Sequence, residues 1–222
     1  CPGCPHRGLF YALNKTKAFV SGDIGCYTLS YMKPLSGMDS CICMGASIGI
    51  AHGMSKALGP KGKGKVVGVI GDSTFIHSGI TTLLNAAYNR SDAVFIIADN
   101  RTTAMTGMQE HPATGYTLQG EKAKELDFEA LGKVLGVDSV EVIDPLQFKN
   151  TTEVLKRELQ KDGPSLIISR SPCVLLMSKK AARAKHFFTD PEKCIGCKVC
   201  LTCGCPAISW KDFEKAGMPP RP

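Results

Sequence analysis

Short apolar runs alternate along the chain with longer segments in which apolar residues recur every three or four positions. The runs predict five strands, at residues 18–21, 66–70, 94–98, 140–143 and 166–169. The segments predict five helices, over residues 6–13, 46–58, 80–89, 128–135 and 152–160. Strands that are apolar on both faces and alternate with helices are typical of a parallel sheet covered by helices. We therefore expect an α/β fold built on a parallel sheet.

Local signals refine the ends and the buried side of these helices. Asp127 and Thr151 stand just before two of the helical segments and are predicted N-caps. Gly136 follows the fourth segment and is a predicted stop. The second helix is expected to bury a stripe at helical spacing, formed by Ile48, Ala51, Met54, Ser55 and Leu58.

A segment rich in cysteine follows the last predicted strand. The 11 cysteines are odd in number and mostly closely spaced, and no export leader is visible, which favours metal ligation over disulfides. Cys194, Cys197 and Cys200 have C-x2-C-x2-C spacing, and Cys203 and Cys205 follow. This run is typical of iron–sulfur ligation in ferredoxins, with a zinc ribbon as the alternative. We expect an α/β domain over residues 1–182 and a truncated ferredoxin-like segment over residues 183–222.

Composition and charge exclude several classes of protein. The 222 residues are 43% hydrophobic and 21% charged, as in ordinary globular proteins. The net charge of +7 is mild, and the densest basic stretch, at residues 179–185, is too short to predict nucleic-acid binding. No apolar run approaches the ~20 residues that span a bilayer, so we expect no membrane insertion and a cytoplasmic location. Because the chain begins with Cys1 instead of Met, we expect it to be part of a longer protein.

Polar residues follow two of the predicted strands directly. Asp72 comes after the strand at 66–70, and Asn100 and Thr102 come after the strand at 94–98. Ligands bind at the carboxyl ends of strands in such sheets, and Mg²⁺ prefers oxygen ligands and often holds phosphates. Either pair of polar residues alone could simply make a turn; together they predict a site for Mg²⁺ and a phosphate group. Its predicted residues are Gly71, Asp72, Ser73, Thr74, Asn100 and Thr102 (through its carbonyl).

These residues and several longer motifs resemble a known family. Gly71-Asp72 and Asp99-Asn100 are similar to the GDG and NN motif of thiamine diphosphate enzymes, with Ser73 and Asp99 as departures. Further motifs are CPGCPHRG (1–8), SGDIGCYTL (21–29), CICMGASIGIAHGM (41–54), DNRTTAMTGMQEHP (99–112) and GCPAI (204–208). With them, the whole chain resembles the C-terminal part of the large subunit in the indolepyruvate branch of the 2-oxoacid:ferredoxin oxidoreductases.

The resemblance implies roles for residues around the thiamine cofactor. Asp72, Asn100 and the Thr102 carbonyl would hold Mg²⁺ on the diphosphate. Met44 would wedge between the two rings of the cofactor, and the Ile42 carbonyl would accept from its amino group. Met44 could equally be ordinary core, since methionine fills irregular gaps. Gly45 and Met105 are further candidates for the cofactor site. His111 follows the predicted metal loop and is a candidate for contact with the substrate.

The resemblance implies two sets of cluster-ligating cysteines. A buried 4Fe–4S cluster near the thiamine would be held by Cys1, Cys4, Cys26 and Cys173. In the tail, Cys194, Cys197 and Cys200 would hold another, and its fourth ligand would be Cys205, Cys203 or a cysteine outside this chain. Cys41 and Cys43 are interpreted as buried thiols that line the thiamine pocket.

The reaction implied is oxidative decarboxylation of an aryl 2-oxoacid to acyl-CoA, with coenzyme A and ferredoxin as partners. The activating Glu of the family has no counterpart here, so a second domain or subunit is expected to supply it, along with a small partner subunit. Two other functions stay open. One is a non-oxidative thiamine-dependent decarboxylase, which the cysteines disfavour, and the other is a non-catalytic ferredoxin-like module, which the Asp72 motif disfavours.

Overall fold

A computed structural model describes residues 1–177, 188–190 and 192–210 of the chain. Its centre is a six-stranded sheet in the order β2-β1-β3-β4-β6-β5, in which every pair is parallel. The strands are β1 (Phe19–Gly22), β2 (Ser40–Cys41), β3 (Val66–Gly71), β4 (Val94–Asp99), β5 (Ser139–Ile143) and β6 (Ser165–Arg170). The five predicted strands are confirmed within one residue at either end. The sequence pattern misses only β2, because two residues without an apolar run give no signal.

Helices cover both faces of this sheet. They are α1 (His6–Thr16), α2 (Ala46–Leu58), α3 (Asp72–Thr74), α4 (Ile80–Tyr88), α5 (Phe128–Val134) and α6 (Phe148–Gln160). A π-helical turn, Phe75–Gly79, joins α3 to α4 without a break, so this helical stretch starts at the end of β3, earlier than predicted.

Two of the predicted helix signals are confirmed and two are wrong. The Asp127 carboxylate accepts from the backbone of Glu129 at 2.8 Å and caps α5, and Gly136 ends that helix with φ +81°. Thr151 is not an N-cap, because α6 begins a turn earlier, at Phe148, and Thr151 lies buried inside it. Leu58 is not part of the buried stripe, since it is 42% exposed at the last residue of α2.

The sheet separates two hydrophobic cores. One core packs α1 and α6 against one face of the sheet, with Leu9, Val69, Ile96 and Leu155 among its members. The other packs α2, α4 and α5 against the opposite face and includes Ile48, Ile70, Phe75, Leu83, Phe95, Ile97 and Phe128. Neighbouring residues along β4 alternate between the two cores, as the pleat of a strand requires.

The tail packs against the first helix. Its short 3₁₀ turn, Val199–Cys203, lies beside α1, where the Tyr11 hydroxyl is 3.3 Å from the Thr202 hydroxyl. The predicted domain boundary at 182/183 and the basic stretch at 179–185 lie outside the described residues. Among the described helices, none is long and apolar enough to cross a membrane.

Candidate active site

The carboxyl ends of β1, β3, β4 and β6 meet at one edge of the sheet, and the predicted polar residues gather there. Asp72 is only 3% exposed. Its Oδ1 accepts from Ser73 N at 2.8 Å, and its Oδ2 accepts from Asn100 N and Arg101 N at 3.0 and 2.9 Å. Hydrogen bonds to the ionised form stabilise a buried carboxylate. Asp72 thus ties the end of β3 to the loop after β4 and holds a negative charge at this edge.

Asn100 fixes the second half of this polar edge. Its side-chain Oδ1 accepts from Thr102 N at 3.1 Å, and its backbone carbonyl accepts from Cys173 N at 2.9 Å. Thr103 lies in the same loop as Asn100, and its hydroxyl is 3.0 Å from the Ser73 hydroxyl. This contact joins the loop after β4 to the residues that follow β3. The structure therefore brings together the predicted residues at 71–74 and 100–102.

Asp99, which replaces the first Asn of the motif, has a different role from Asp72. It is fully buried and pairs with the Arg170 guanidinium at 2.7 Å, and Arg170 reaches Glu129 at 3.3 Å. This ion pair joins the ends of the neighbouring strands β4 and β6. The Asp99 side chain is thus engaged in the scaffold beneath the site.

Tyr27 is a site residue that the sequence analysis missed. Its hydroxyl accepts from Gly71 N at 2.9 Å and donates to the Ile24 carbonyl at 3.1 Å. A Cβ on Gly71 would lie 2.7 Å from Cε1 of the Tyr27 ring, so glycine is required there by this contact. Burial raises the pKa of Tyr27, and the ring stays neutral beneath the polar edge.

Asp23 is a second residue that was missed, and it shapes the loop that carries Met44. Asp23 is fully buried, and its carboxylate accepts from Gly45 N at 2.8 Å and from Ser47 N at 3.1 Å. The residue thereby caps the start of α2 from a distant strand end, where a negative charge is favoured. Gly45 has φ +85°, and a side chain there would collide with Ser78. The loop before α2 is therefore held in one conformation.

The predicted wedge residue is not core in this chain. Met44 is 56% exposed, Ile42 is 70% exposed and Met105 is 53% exposed. The first two lie on the loop fixed by Asp23, and Met105 follows the loop of Asn100. Of the two interpretations of Met44, ordinary core is excluded. Three large apolar side chains instead stand exposed around the polar edge. Cys43 is likewise exposed and Cys41 half-buried, so the expectation of buried thiols at these positions is wrong.

His111 lies behind Asp72. It is 7% exposed, and its Nε2 is 3.3 Å from Asp72 Oδ2. Ala113 N donates to its Nδ1 at 3.3 Å. His111 thus contacts the Asp72 carboxylate, although its Nε2 makes no well-aligned hydrogen bond within the described residues; whether it reaches a substrate stays a prediction.

Three of the four predicted cluster cysteines of the domain line one cavity. Cys1, Cys4 and Cys26 border a cavity of about 360 Å³ that Asn100 and Met105 also line. Partial desolvation raises the pKa of the Cys26 thiol although the residue is exposed, and the nearby Cys173 and Cys4 raise it further. Charges act strongly only over short distances in proteins. The fold thus brings three of the four predicted ligands to one cavity that Asn100 also lines. Cys173 is close enough to Cys26 to affect its pKa, and its backbone N–H donates to the Asn100 carbonyl.

The tail cysteines follow each other around a tight path. Gly196 N donates to Cys194 Sγ at 3.4 Å, and the Cys203 thiol donates to the Cys200 carbonyl at 3.1 Å. Positive φ angles at Gly196, Lys198 and Gly204 let the chain curl back on itself. Within the described ranges, no three Cys, His, Asp or Glu side chains already converge as a metal ligand set. The cysteines are grouped in the fold without being closed around a centre.

Residues 23–169 match the family model described as thiamine pyrophosphate enzyme, C-terminal TPP binding domain. The chain belongs to this family. The match contains every residue of the polar edge, from Asp23 and Met44 to Asp72 and Asn100. The match confirms the predicted α/β domain with its parallel sheet and thiamine diphosphate as its cofactor. That the polar edge holds the cofactor stays a prediction.

Curated relatives extend this similarity over nearly the whole chain. Indolepyruvate oxidoreductase subunit IorA of Archaeoglobus fulgidus is 43% identical over 98% of this chain and 36% of its own length. The IorA subunit of Thermococcus kodakarensis is 42% identical over 99% of this chain and 37% of its own length. The resemblance to the indolepyruvate branch is confirmed. This chain spans little more than a third of these relatives.

Two solved structures share the fold. One is a 2-oxoglutarate:ferredoxin oxidoreductase from Magnetococcus marinus, with TM-score 0.66 and 17% identity over 86% of this chain and 72% of that chain. The other is a thiamine diphosphate-dependent 4-hydroxybenzoylformate decarboxylase from Rhodococcus jostii RHA1. It has TM-score 0.55 and 25% identity over 75% of this chain and 32% of that chain.

Proposed function

We propose that this chain is the thiamine-binding and electron-transferring part of an enzyme that oxidatively decarboxylates aryl 2-oxoacids of the indolepyruvate type. The products are acyl-CoA and carbon dioxide, and ferredoxin takes up the electrons. One observation carries the proposal. Asn100 and Met105 of the cofactor edge line the same cavity as Cys1, Cys4 and Cys26, so the place of decarboxylation adjoins a thiol-lined place for an electron acceptor. The names of the relatives support the substrate class.

The residues of the polar edge fit Mg²⁺ and a diphosphate. Asp72 offers a buried carboxylate and Asn100 an amide oxygen at the ends of adjacent strands, and hard oxygen ligands are what Mg²⁺ selects. The Thr102 carbonyl is the proposed third ligand. Ser73 and Thr74 would hydrogen-bond the phosphates, and His111 would keep the Asp72 carboxylate oriented. When bound, thiamine diphosphate supplies the carbanion that adds to the keto carbon and the electron sink for decarboxylation.

The thiols fit iron–sulfur clusters. Thiolate is the ligand of such clusters, and each cluster accepts one electron at a time. Cys1, Cys4, Cys26 and Cys173 are the proposed ligands beside the thiamine site. Cys194, Cys197 and Cys200, with Cys205 as the fourth, are the proposed ligands in the tail. Cys203 is the alternative fourth ligand, although its thiol already donates to a backbone carbonyl.

The site needs a second domain or subunit. No position in the sequence matches the Glu that activates the cofactor in this family. Ile42, Met44 and Met105 also leave a large apolar area exposed around the site, and such areas mark places where another surface packs. We propose that the missing part of the enzyme covers these residues, supplies the Glu and excludes water from the reacting carbon.

Met44→Ala tests the wedge. Because Met44 is exposed in this domain, its truncation should change the free energy of unfolding by no more than about 0.5 kcal/mol. In the full enzyme, turnover should fall at least about tenfold while thiamine content stays near normal, because the wedge orients the cofactor rather than anchors it. Leu58→Ala, which truncates a similarly exposed apolar side chain at the far end of α2, is the matched control. A loss of cofactor in proportion to activity would contradict the wedge role.

Product analysis tests the function itself. The full-length protein with its partner subunit is supplied with indolepyruvate, coenzyme A and ferredoxin. Each turnover should release one carbon dioxide, form one thioester bond and pass two electrons to two ferredoxin molecules. Release of an aldehyde without reduced ferredoxin would instead support the non-oxidative decarboxylase. No release of carbon dioxide from any aryl 2-oxoacid would overturn both.

A further inference from the structure

The cysteine-rich tail touches the domain at one well-defined place. The Arg7 guanidinium, in the first turn of α1, donates through Nη2 to the Cys203 carbonyl at 2.8 Å and to the Gly204 carbonyl. Tyr11, one turn along the same helix, meets Thr202. These contacts join residues that are almost 200 positions apart in the sequence, so they are not a consequence of local chain geometry.

The turn that Arg7 holds, here called the docked turn, also lines the cavity bordered by Cys1, Cys4 and Cys26, here called the thiol cavity. Gly204 and Pro206 line the cavity together with Cys1, Cys4, Cys26 and Arg7. Gly204 has φ +62°, and a Cβ on it would lie 2.7 Å from the ring of Pro34 and 2.9 Å from Arg7 Nη2. Only glycine therefore allows the turn to sit this close to the 30–35 loop and to α1.

Arg7 stands at the junction of the two cysteine groups. Its Nη2 holds carbonyls of the tail, while its Nε is buried and has no hydrogen-bond partner within the described residues. A buried donor that lacks a partner destabilises the folded protein. Arg7 Nε thus remains a donor for a group that binds in the cavity. A positive charge at this point also favours the reduced, more negative state of clusters on either side.

We propose that Arg7 and Gly204 dock the tail onto α1 so that the tail cluster is held beside the cluster of the thiol cavity within the same chain. The inference rests on the proposed function, because it takes both cysteine groups as cluster sites. With clusters bound in both cysteine groups, this placement would let single electrons pass from the cavity cluster, which would be oxidised, to the tail cluster, which would be reduced. The electrons come from the 2-oxoacid and leave to ferredoxin, and no covalent bond forms or breaks in this transfer. Arg7 is a positioning residue in this scheme.

Hydrogen exchange on the full-length holoenzyme tests the docking. Two backbone hydrogen bonds close the docked turn: Leu201 N–H donates to the Lys198 carbonyl, and Gly204 N–H donates to the Leu201 carbonyl. Arg7→Ala should speed their exchange at least about tenfold, because the turn opens more often. Arg7→Lys, which keeps the charge and one donor, should restore part of the protection. Arg90→Ala is the matched control, since it removes an exposed arginine that pairs with Asp138 far from the tail.

Gly204→Ala gives an independent test that does not alter α1. It should speed the same exchange as Arg7→Ala, because the added methyl cannot fit against Pro34. Unchanged exchange in both variants would overturn the docking.

Spin resonance of the reduced holoenzyme tests the closeness of the two clusters. The unaltered enzyme should show magnetic interaction between two reduced clusters, and Arg7→Ala and Gly204→Ala should weaken it at unchanged iron content. Two clusters with no interaction would overturn the inference and leave the proposed function standing. Iron for fewer than two clusters would overturn the cluster assignment of the proposed function itself, and the iron content distinguishes the two results.

Discussion

Asp72→Asn should reduce the affinity of the full-length protein for thiamine diphosphate and Mg²⁺ at least about 100-fold, because it removes the charged ligand of the metal. The substitution keeps the size of the side chain. Both Asp72 oxygens now accept hydrogen bonds from backbone N–H groups. In the variant, the NH₂ of the new amide would face one of these N–H groups, and the lost bond should lower the free energy of unfolding by about 1–3 kcal/mol. Thiamine content of the purified variant and a binding titration measure the first effect, and denaturant unfolding measures the second.

A matched control separates loss of the metal ligand from loss of stability. Glu158, on α6, is also a buried carboxylate and lies away from the cofactor edge. It pairs with Arg157 on the same helix and with Lys161, which directly follows the helix. Glu158→Gln should lower stability by a similar amount and leave thiamine content unchanged. Full thiamine content in Asp72→Asn, or an equal loss in Glu158→Gln, would refute Asp72 as the metal ligand.

Cys26→Ser should remove the iron of one cluster from the full-length enzyme and stop electron transfer out of the thiamine site. Serine keeps the volume of the side chain but is a much poorer ligand for iron than thiolate. Because Cys26 is exposed in the described structure, the substitution should hardly change stability. Iron and sulfide analysis and low-temperature spin resonance measure the loss, and the signal of the tail cluster should persist.

Two further serine variants frame this result. Cys41→Ser is the matched control, since the Cys41 thiol donates to the Asp23 carbonyl at 3.4 Å and belongs to neither proposed ligand set. It should keep full iron. Cys197→Ser should show the reverse of Cys26→Ser, with the cavity cluster still reduced by substrate and delivery to ferredoxin lost. A Cys26→Ser enzyme with full iron and an unchanged spectrum would leave Cys26 as an ordinary thiol.

The parts of the fold that the sequence predicts are those with a local signal. The strands at 66–71, 94–99 and 165–170 are apolar on both faces, so their runs stand out whatever lies around them. Asp72 and Asn100 could be placed together because the topology of a parallel sheet brings the ends of neighbouring strands to one edge. The start of α6 was missed because its first turn, Phe148-Lys149-Asn150, has a single apolar residue and so no helical period. In the fold, the Phe148 ring packs against Tyr11 of α1, with ring centroids 5.6 Å apart.

The parts of the site that the sequence did not predict depend on contacts between distant segments. Asp23 caps α2 across about twenty residues of chain, and Tyr27 packs on Gly71 of another strand. Neither contact leaves a hydrophobic periodicity or a fixed residue spacing in the sequence from which it could be predicted. Arg7 and Gly204 lie at opposite ends of the chain, and only the fold shows that they meet. Side chains that position a site are therefore harder to predict than the ligands they position.

The most direct test of the account is a structure of the full-length protein with thiamine diphosphate and Mg²⁺ bound. The account predicts the metal at about 2.0–2.1 Å from an Asp72 carboxylate oxygen and from Asn100 Oδ1, the typical distance for Mg²⁺. It also predicts the cofactor ring system against Met44, beside the thiol cavity. Cofactor density away from the ends of β3 and β4, or a metal without Asp72 among its ligands, would contradict it.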